Sequence, residues 1–162
     1  MKEIRVYNYQ YDNFKLKVGL IEEKIAYIGF ENEDLLNWFK TDEFDIVETN
    51  EILDNKHSNL LNSFFNKEIL DLDFDDLYVV GTEFQKEVWK ELMTILPGST
   101  IFCKQLAGKL KRLDSIRAVT RAVQKNPILL LIPCHRVIPY ENEEYAYRAG
   151  EECKQMLLEL ES

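Results

Sequence analysis

Residues 128–132 read Ile-Leu-Leu-Leu-Ile, five consecutive apolar side chains between Asn126-Pro127 and Pro133. A run of that length with no polar alternation has no solvent face, so the flanking elements must enclose it. It predicts a buried strand, with Asn126-Pro127 ending the element before it. Beyond the run, the chain delivers Pro133-Cys134-His135-Arg136-Val137 out of the core.

The elements that would enclose the run are helical. Thr82 and Gln85 have capping-box spacing for a helix starting near Glu83. Phe84, Val88, Trp89, Leu92 and Ile95 recur at four- and three-residue intervals until Pro97-Gly98 stops the pattern. Leu106, Ala107 and Leu110 indicate a second, short helix. Asp114 is placed to cap a third from Ser115 to about Lys125, with Ile116, Val119 and Val123 inward. Arg117, Arg121 and Lys125 then fall at i, i+4 and i+8 on the opposite face. A short helix, a tight connection and a basic-faced helix make a helix-turn-helix candidate.

The first half reads differently. Ile4–Tyr9, Phe14–Val18 and Ile25–Phe30 suggest three strands joined by polar turns, an antiparallel meander. Leu35–Phe39 and Leu60–Phe65 suggest short helices. His57 has no cysteine or second histidine beside it, so no metal site is expected there.

Charge divides the chain at the same place. The net charge of −9 appears hostile to a polyanionic partner. Residues 1–80, however, hold 8 Lys/Arg against 18 Asp/Glu, whereas residues 81–162 hold 12 against 11. Residues 102–136 alone are +7, eight basic side chains against Asp114. A boundary within 71–81 separates a first domain, 1–78, from a second, 79–162. A solvated helix surface would explain the basic window blandly; an anionic partner would explain its sharpness.

The chain has no apolar run of about eighteen residues and no signal-peptide pattern, so neither membrane association nor export is expected. Three cysteines, an odd number, suggest reduced thiols and a cytoplasmic protein. Cys134 leaves a buried run amid positive charge, where a thiolate would be stabilised. A small inert core residue is the alternative. Adjacent Cys134 and His135 cannot face each other in an extended chain, but one water could connect them.

Pro133-Cys134-His135-Arg136-Val137, with Asn126-Pro127, Arg117-Ala118-Val119 and Gly81–Trp89, resembles the O6-alkylguanine-DNA alkyltransferases over the last eighty or so residues. The resemblance implies an α+β protein. Its first domain would be a small antiparallel sheet with helices, ribonuclease H-like, and its second a mainly helical, winged helix-turn-helix-like domain. It implies DNA repair by irreversible transfer of an alkyl group from O6 of guanine, or O4 of thymine, to Cys134. His135 would be the base through a water, Glu161 would hold His135, and Asn126 would tie the recognition helix to the active-site loop. Arg117 would fill the stack left by a flipped nucleotide, with Arg121, Lys125, Cys103 and Arg136 also at the DNA. Val137, Tyr147 and Arg148 would line the substrate pocket. No cofactor and no metal are implied; the partner is double-stranded DNA carrying O6-alkylguanine, met by a monomer.

Three positions depart from the family pattern. Cys103 stands where a tyrosine commonly pushes the flipped nucleotide. Ile116, Thr120 and Arg121 replace small residues of the recognition helix, and Tyr145–Gly150 replaces a glycine-rich loop. A non-enzymatic protein that binds and flags alkylated DNA is the alternative function, although Cys134 is retained; a regulator or redox sensor reusing the fold is a third.

Overall fold

A computed structural model describes residues 1–139 and 145–162. The chain is a mixed α+β protein that divides into two units, Met1–Val80 and Gly81–Ser162.

In the first unit, β1 (Lys2–Tyr11), β2 (Phe14–Ile21) and β3 (Lys24–Phe30) form the expected meander. Glu22 and Glu23, both at positive φ, make the two-residue turn between β2 and β3. That backbone matches the twist of a hairpin, although neither residue is the usual glycine or asparagine. The sheet is not purely antiparallel as expected. A fourth strand, β4 (Phe44–Ile52), runs parallel to β1 at the edge, giving the order β3-β2-β1-β4. Asp45, Glu48 and Glu51 make β4 read as a loop, but one edge of the strand is open and acidic side chains suit an edge. Ile4, Ile21, Ala26, Tyr27 and Phe39 form a core cluster against this sheet. The helix α1 (Asn55–Phe65) begins at Asp54, whose carboxylate accepts from the His57 N–H at 3.0 Å. The His57 ring is also occupied, by Asp54 at 2.7 Å and the Glu23 carbonyl at 3.0 Å.

In the second unit, α2 (Glu83–Leu92) starts with the expected capping box, in which the Thr82 and Gln85 side chains each accept the other's backbone N–H. It ends before Ile95, because the chain tightens into three-residue turns through Thr94 and Ile95. A Cβ on Gly81 would lie 2.5 Å from the Trp89 ring, so the chain can enter α2 this closely only with glycine. Trp89 in turn donates Nε1–H to the Ala122 carbonyl at 2.7 Å, fixing α2 to the basic-faced helix.

The strand β5 (Ile101–Phe102) leads into α3 (Cys103–Lys109). This helix closes with Lys111 in the left-handed region, Lys111 N–H on Gly108 O and Arg112 N–H on Ala107 O, a Schellman ending. After a single 3-10 turn comes α4 (Ile116–Gln124). Asp114 does not cap it as expected: it lies inside the 3-10 turn, and Ser115 takes the cap position without a side-chain bond.

The run 128–132 is buried throughout but is not a strand. Leu131 N–H bonds to Leu129 O and Ile132 N–H to Ile128 O, with Leu130 at φ +73°. Asn126 captures the main chain that a strand would offer to a neighbour, accepting from Ile128 N–H at 2.9 Å and donating to Ile132 O at 2.7 Å. A buried polar side chain has thus substituted for a β partner. The 3-10 turn Cys134–Arg136 follows, then β6 (Val137–Ile138), parallel to β5, and finally α5 (Glu151–Glu161). Among the described residues no helix is long and apolar enough to cross a membrane.

Candidate active site

The 3-10 turn at the end of the buried run holds Cys134, His135 and Arg136, all of them buried. A 3-10 turn separates successive side chains by about 120°. Cys134 and His135 therefore point in different directions, as the sequence requires of adjacent residues. His135 reaches α5, where its Nε2 lies 3.0 Å from Glu161 Oε1. A carboxylate only accepts, so Nε2 carries the proton, and Nδ1 holds the lone pair that can take another. Burial holds the imidazole below its ordinary value, outweighing the Glu161 hydrogen bond and charge that raise it. At neutral pH the ring is a neutral base.

Burial would also push the Glu161 carboxyl up, but hydrogen bonds from His135 and Arg136, with their charges, hold it at about 2. Arg136 supplies most of this grip: Nε lies 3.0 and 3.2 Å from the two carboxylate oxygens, and Nη2 lies 2.5 Å from Oε2. Its Nη1 donates to the Ile95 carbonyl at 2.6 Å. Arg136 was expected at DNA; it is only 5% exposed and spends its donors inside the unit.

Cys134 is 2% exposed. Burial pushes its thiol up, while a hydrogen bond with Asn126 and the charges of Arg148 and Lys154 pull it down. Asn126 thus serves two ends, shaping the turn that carries Cys134 and contacting the sulfur itself. Asn126→Ala should cost about 2–4 kcal/mol, since it leaves two buried backbone groups unpaired. Urea unfolding followed by Trp89 fluorescence will measure the loss.

Of the remaining expected residues, Tyr147 is buried and sets its ring edge against His135, centroids 6.5 Å apart. Arg148 donates Nη1–H to the Asn126 carbonyl. Val137 is fully buried in β6. Arg117, Arg121 and Lys125 are exposed on one face of α4, away from buried Val119 and Val123. Cys103 does not fit a DNA contact: at the first turn of α3 it is 0% exposed, with no surface to place against a duplex.

Two residues at the site were not singled out from the sequence as site residues. Tyr145 donates its hydroxyl to the Cys134 carbonyl at 2.8 Å. Lys154 places its ammonium 4.6 Å from the Tyr145 ring centroid and is 1% exposed. The available signal was spacing. Lys154, Leu157 and Glu161 form the buried face of α5, so the lysine shares a face with the carboxylate that meets His135. Among the described residues no cluster of three or more metal-ligating side chains occurs.

Comparison with known proteins follows the same geography. Residues 83–162 match the family model described as 6-O-methylguanine DNA methyltransferase, DNA binding domain. A methylated-DNA–protein-cysteine methyltransferase of Haemophilus influenzae is 32% identical over 142 residues, covering 86% of this chain and 75% of that one. Proteins of that name from Kluyveromyces lactis and Methanosarcina mazei are 44% and 38% identical over 84 and 104 residues. The chain spans 44% and 65% of their lengths, less than two thirds of either. The crystal structure of Mycobacterium tuberculosis OGT in complex with DNA superposes with a TM-score of 0.79 at 27% identity, over 97% of this chain and 92% of that one.

Proposed function

Because the chain belongs to the methylated-DNA–protein-cysteine methyltransferase family, we propose that it repairs DNA by moving an alkyl group from O6 of guanine to Cys134, once per molecule. The observation that carries this reading is the buried Cys134 beside a neutral His135 whose Nε2 is held by Glu161. The Cys134 thiol gives its proton to His135 Nδ1 through one water. The thiolate attacks the saturated alkyl carbon, the S–C bond forms, and the C–O6 pair stays on guanine. The base takes up a proton equivalent to the one the thiol released, so no external reactant is consumed. The thioether has no leaving group on hand, and each molecule reacts once. O4 of alkylated thymine presents the same chemistry and is the second substrate of this reading.

The flipped base is received by Tyr147 and Arg148, with Val137 supporting the turn from behind. Arg117 occupies the vacated stack, and Arg121 and Lys125 meet phosphates from the exposed face of α4. In this reading residues 79–162 are a winged helix-turn-helix-like domain that does the chemistry. Residues 1–78 are a ribonuclease H-like scaffold, and the protein works as a cytoplasmic monomer.

The test is intact mass after incubation with a duplex bearing one O6-methylguanine. A gain of about 14 Da, one methylene on replacing S–H by S–CH3, is expected in the parent protein and not in Cys134→Ser. Tight binding without mass gain would overturn the enzyme reading in favour of a protein that only marks the lesion.

A further inference from the structure

The charges around Cys134 do not balance while it is a thiol. Glu161 is matched by Arg136, and His135 is neutral. Arg148 is half-buried and committed to the Asn126 carbonyl. Lys154 is 1% exposed, yet among the described residues it forms no ion pair. Its ammonium rests on the Tyr145 ring, whose hydroxyl is bonded to the carbonyl of Cys134 itself. A buried cation with only a ring face for company is costly unless an anion appears nearby.

We propose that Lys154 is an electrostatic positioning residue for the acceptor cysteine: its buried ammonium, fixed against Tyr145, is the countercharge of the Cys134 thiolate. The inference rests on Cys134 being the acceptor. Every element packed around the ammonium has been considered. Glu151 faces it from one turn earlier in α5, Tyr145 from the preceding segment, Cys134 from the 3-10 turn and Cys103 from α3. Burial pushes the ammonium down, while Glu151, Cys103 and Cys134 pull it up. Glu151 is solvent-exposed, so its charge is screened, whereas Cys134 is buried. Lys154 and Glu161 thus divide the work from one face of α5, the carboxylate orienting the base and the ammonium receiving the anion the base creates.

The test titrates the protein without DNA. Cysteine labelled at Cβ with carbon-13 reports thiol ionisation by NMR, the Cys134 signal being the one lost in Cys134→Ser. In Lys154→Met the Cys134 midpoint should rise by about one pH unit or more, while Lys154→Arg should stay near the parent. Methyl transfer by Lys154→Met should slow about tenfold at neutral pH and recover at higher pH, which a packing defect would not do. An unmoved midpoint in a folded Lys154→Met overturns the proposal. Should that variant not fold, reciprocity supplies the second measurement: the Lys154 ammonium must titrate lower in Cys134→Ser than in the parent, and an unchanged value overturns the proposal. An unmoved titration with methyl still reaching Cys134 sinks this inference alone. A coupled titration with no methyl gain sinks the repair reading alone.

Discussion

Arg136→Met is expected to destabilise the second unit by about 3–5 kcal/mol, the largest loss from any single substitution at the site. Removing the guanidinium strands the Glu161 carboxylate, whose side chain is 2% exposed, with only a neutral imidazole beside it. It also strips the Ile95 carbonyl of its partner just beyond α2. The double variant Arg136→Met/Glu161→Gln should recover much of the loss, because stranding one charge costs more than removing both. Trp38 and Trp89 are the two tryptophans and lie in different units, so Trp38→Phe makes fluorescence report the second unit alone.

The pH dependence follows with a definite sign. Glu161 titrates near 2 when folded, against 4.5 as its ordinary value. Its contribution is therefore complete above about 4.5 and is lost as pH falls toward 2. His135, held below its ordinary 6.5, acts in the same direction: the unfolded chain takes up this proton first, so stability begins to fall below about 6.5. In Arg136→Met the Glu161 part of the acid slope should flatten, since the carboxyl returns toward its ordinary value. An unfolding curve equally steep between pH 5 and 3 in parent and variant would contradict this assignment, a window set by the ordinary carboxylate range.

The sequence was most legible where local chemistry and burial agree. The Thr82–Gln85 box, the Trp89 stripe and the Arg117–Arg121–Lys125 face each follow from spacing within one helix, and each helix adopts that spacing. Legibility failed where a distant partner decides. Residues 128–132 carry the composition of a strand, but the Asn126 amide takes the main-chain bonds and turns the segment back on itself. β4 carries the composition of a loop, yet pairing with β1 makes it a strand. Arg136 belongs by number to the +7 basic window, but its partner Glu161 lies 25 residues later and draws it inside. Lys154 looks like one more surface lysine of α5 until its exposure is known. Counting charge by sequence window therefore overstates the basic surface by at least Arg136, and the stripe on α4 becomes more important to any encounter with a polyanion.

That stripe carries the second large effect. A triple Arg117→Ala/Arg121→Ala/Lys125→Ala variant should weaken duplex binding about a hundredfold near ~0.1 M salt and lower the slope of log affinity against log salt by about three. The three residues are exposed, while Val119, Ala122 and Val123 hold the helix from the other side, so stability should change little. Thiol chemistry supplies the internal control: the Cys134 titration should be unaltered, because its charges come from Arg148 and Lys154 rather than from α4. Arg117→Ala alone should separate two roles within the stripe. A phosphate contact would reduce binding to damaged and undamaged duplexes equally, whereas a side chain filling the vacated stack should slow methyl transfer more than it weakens undamaged binding. The net charge of −9 makes the salt test more severe. If binding came from non-specific attraction to the whole molecule, an acidic protein would show almost no salt slope to lose, so a slope that falls by three on deleting three side chains locates the attraction on α4.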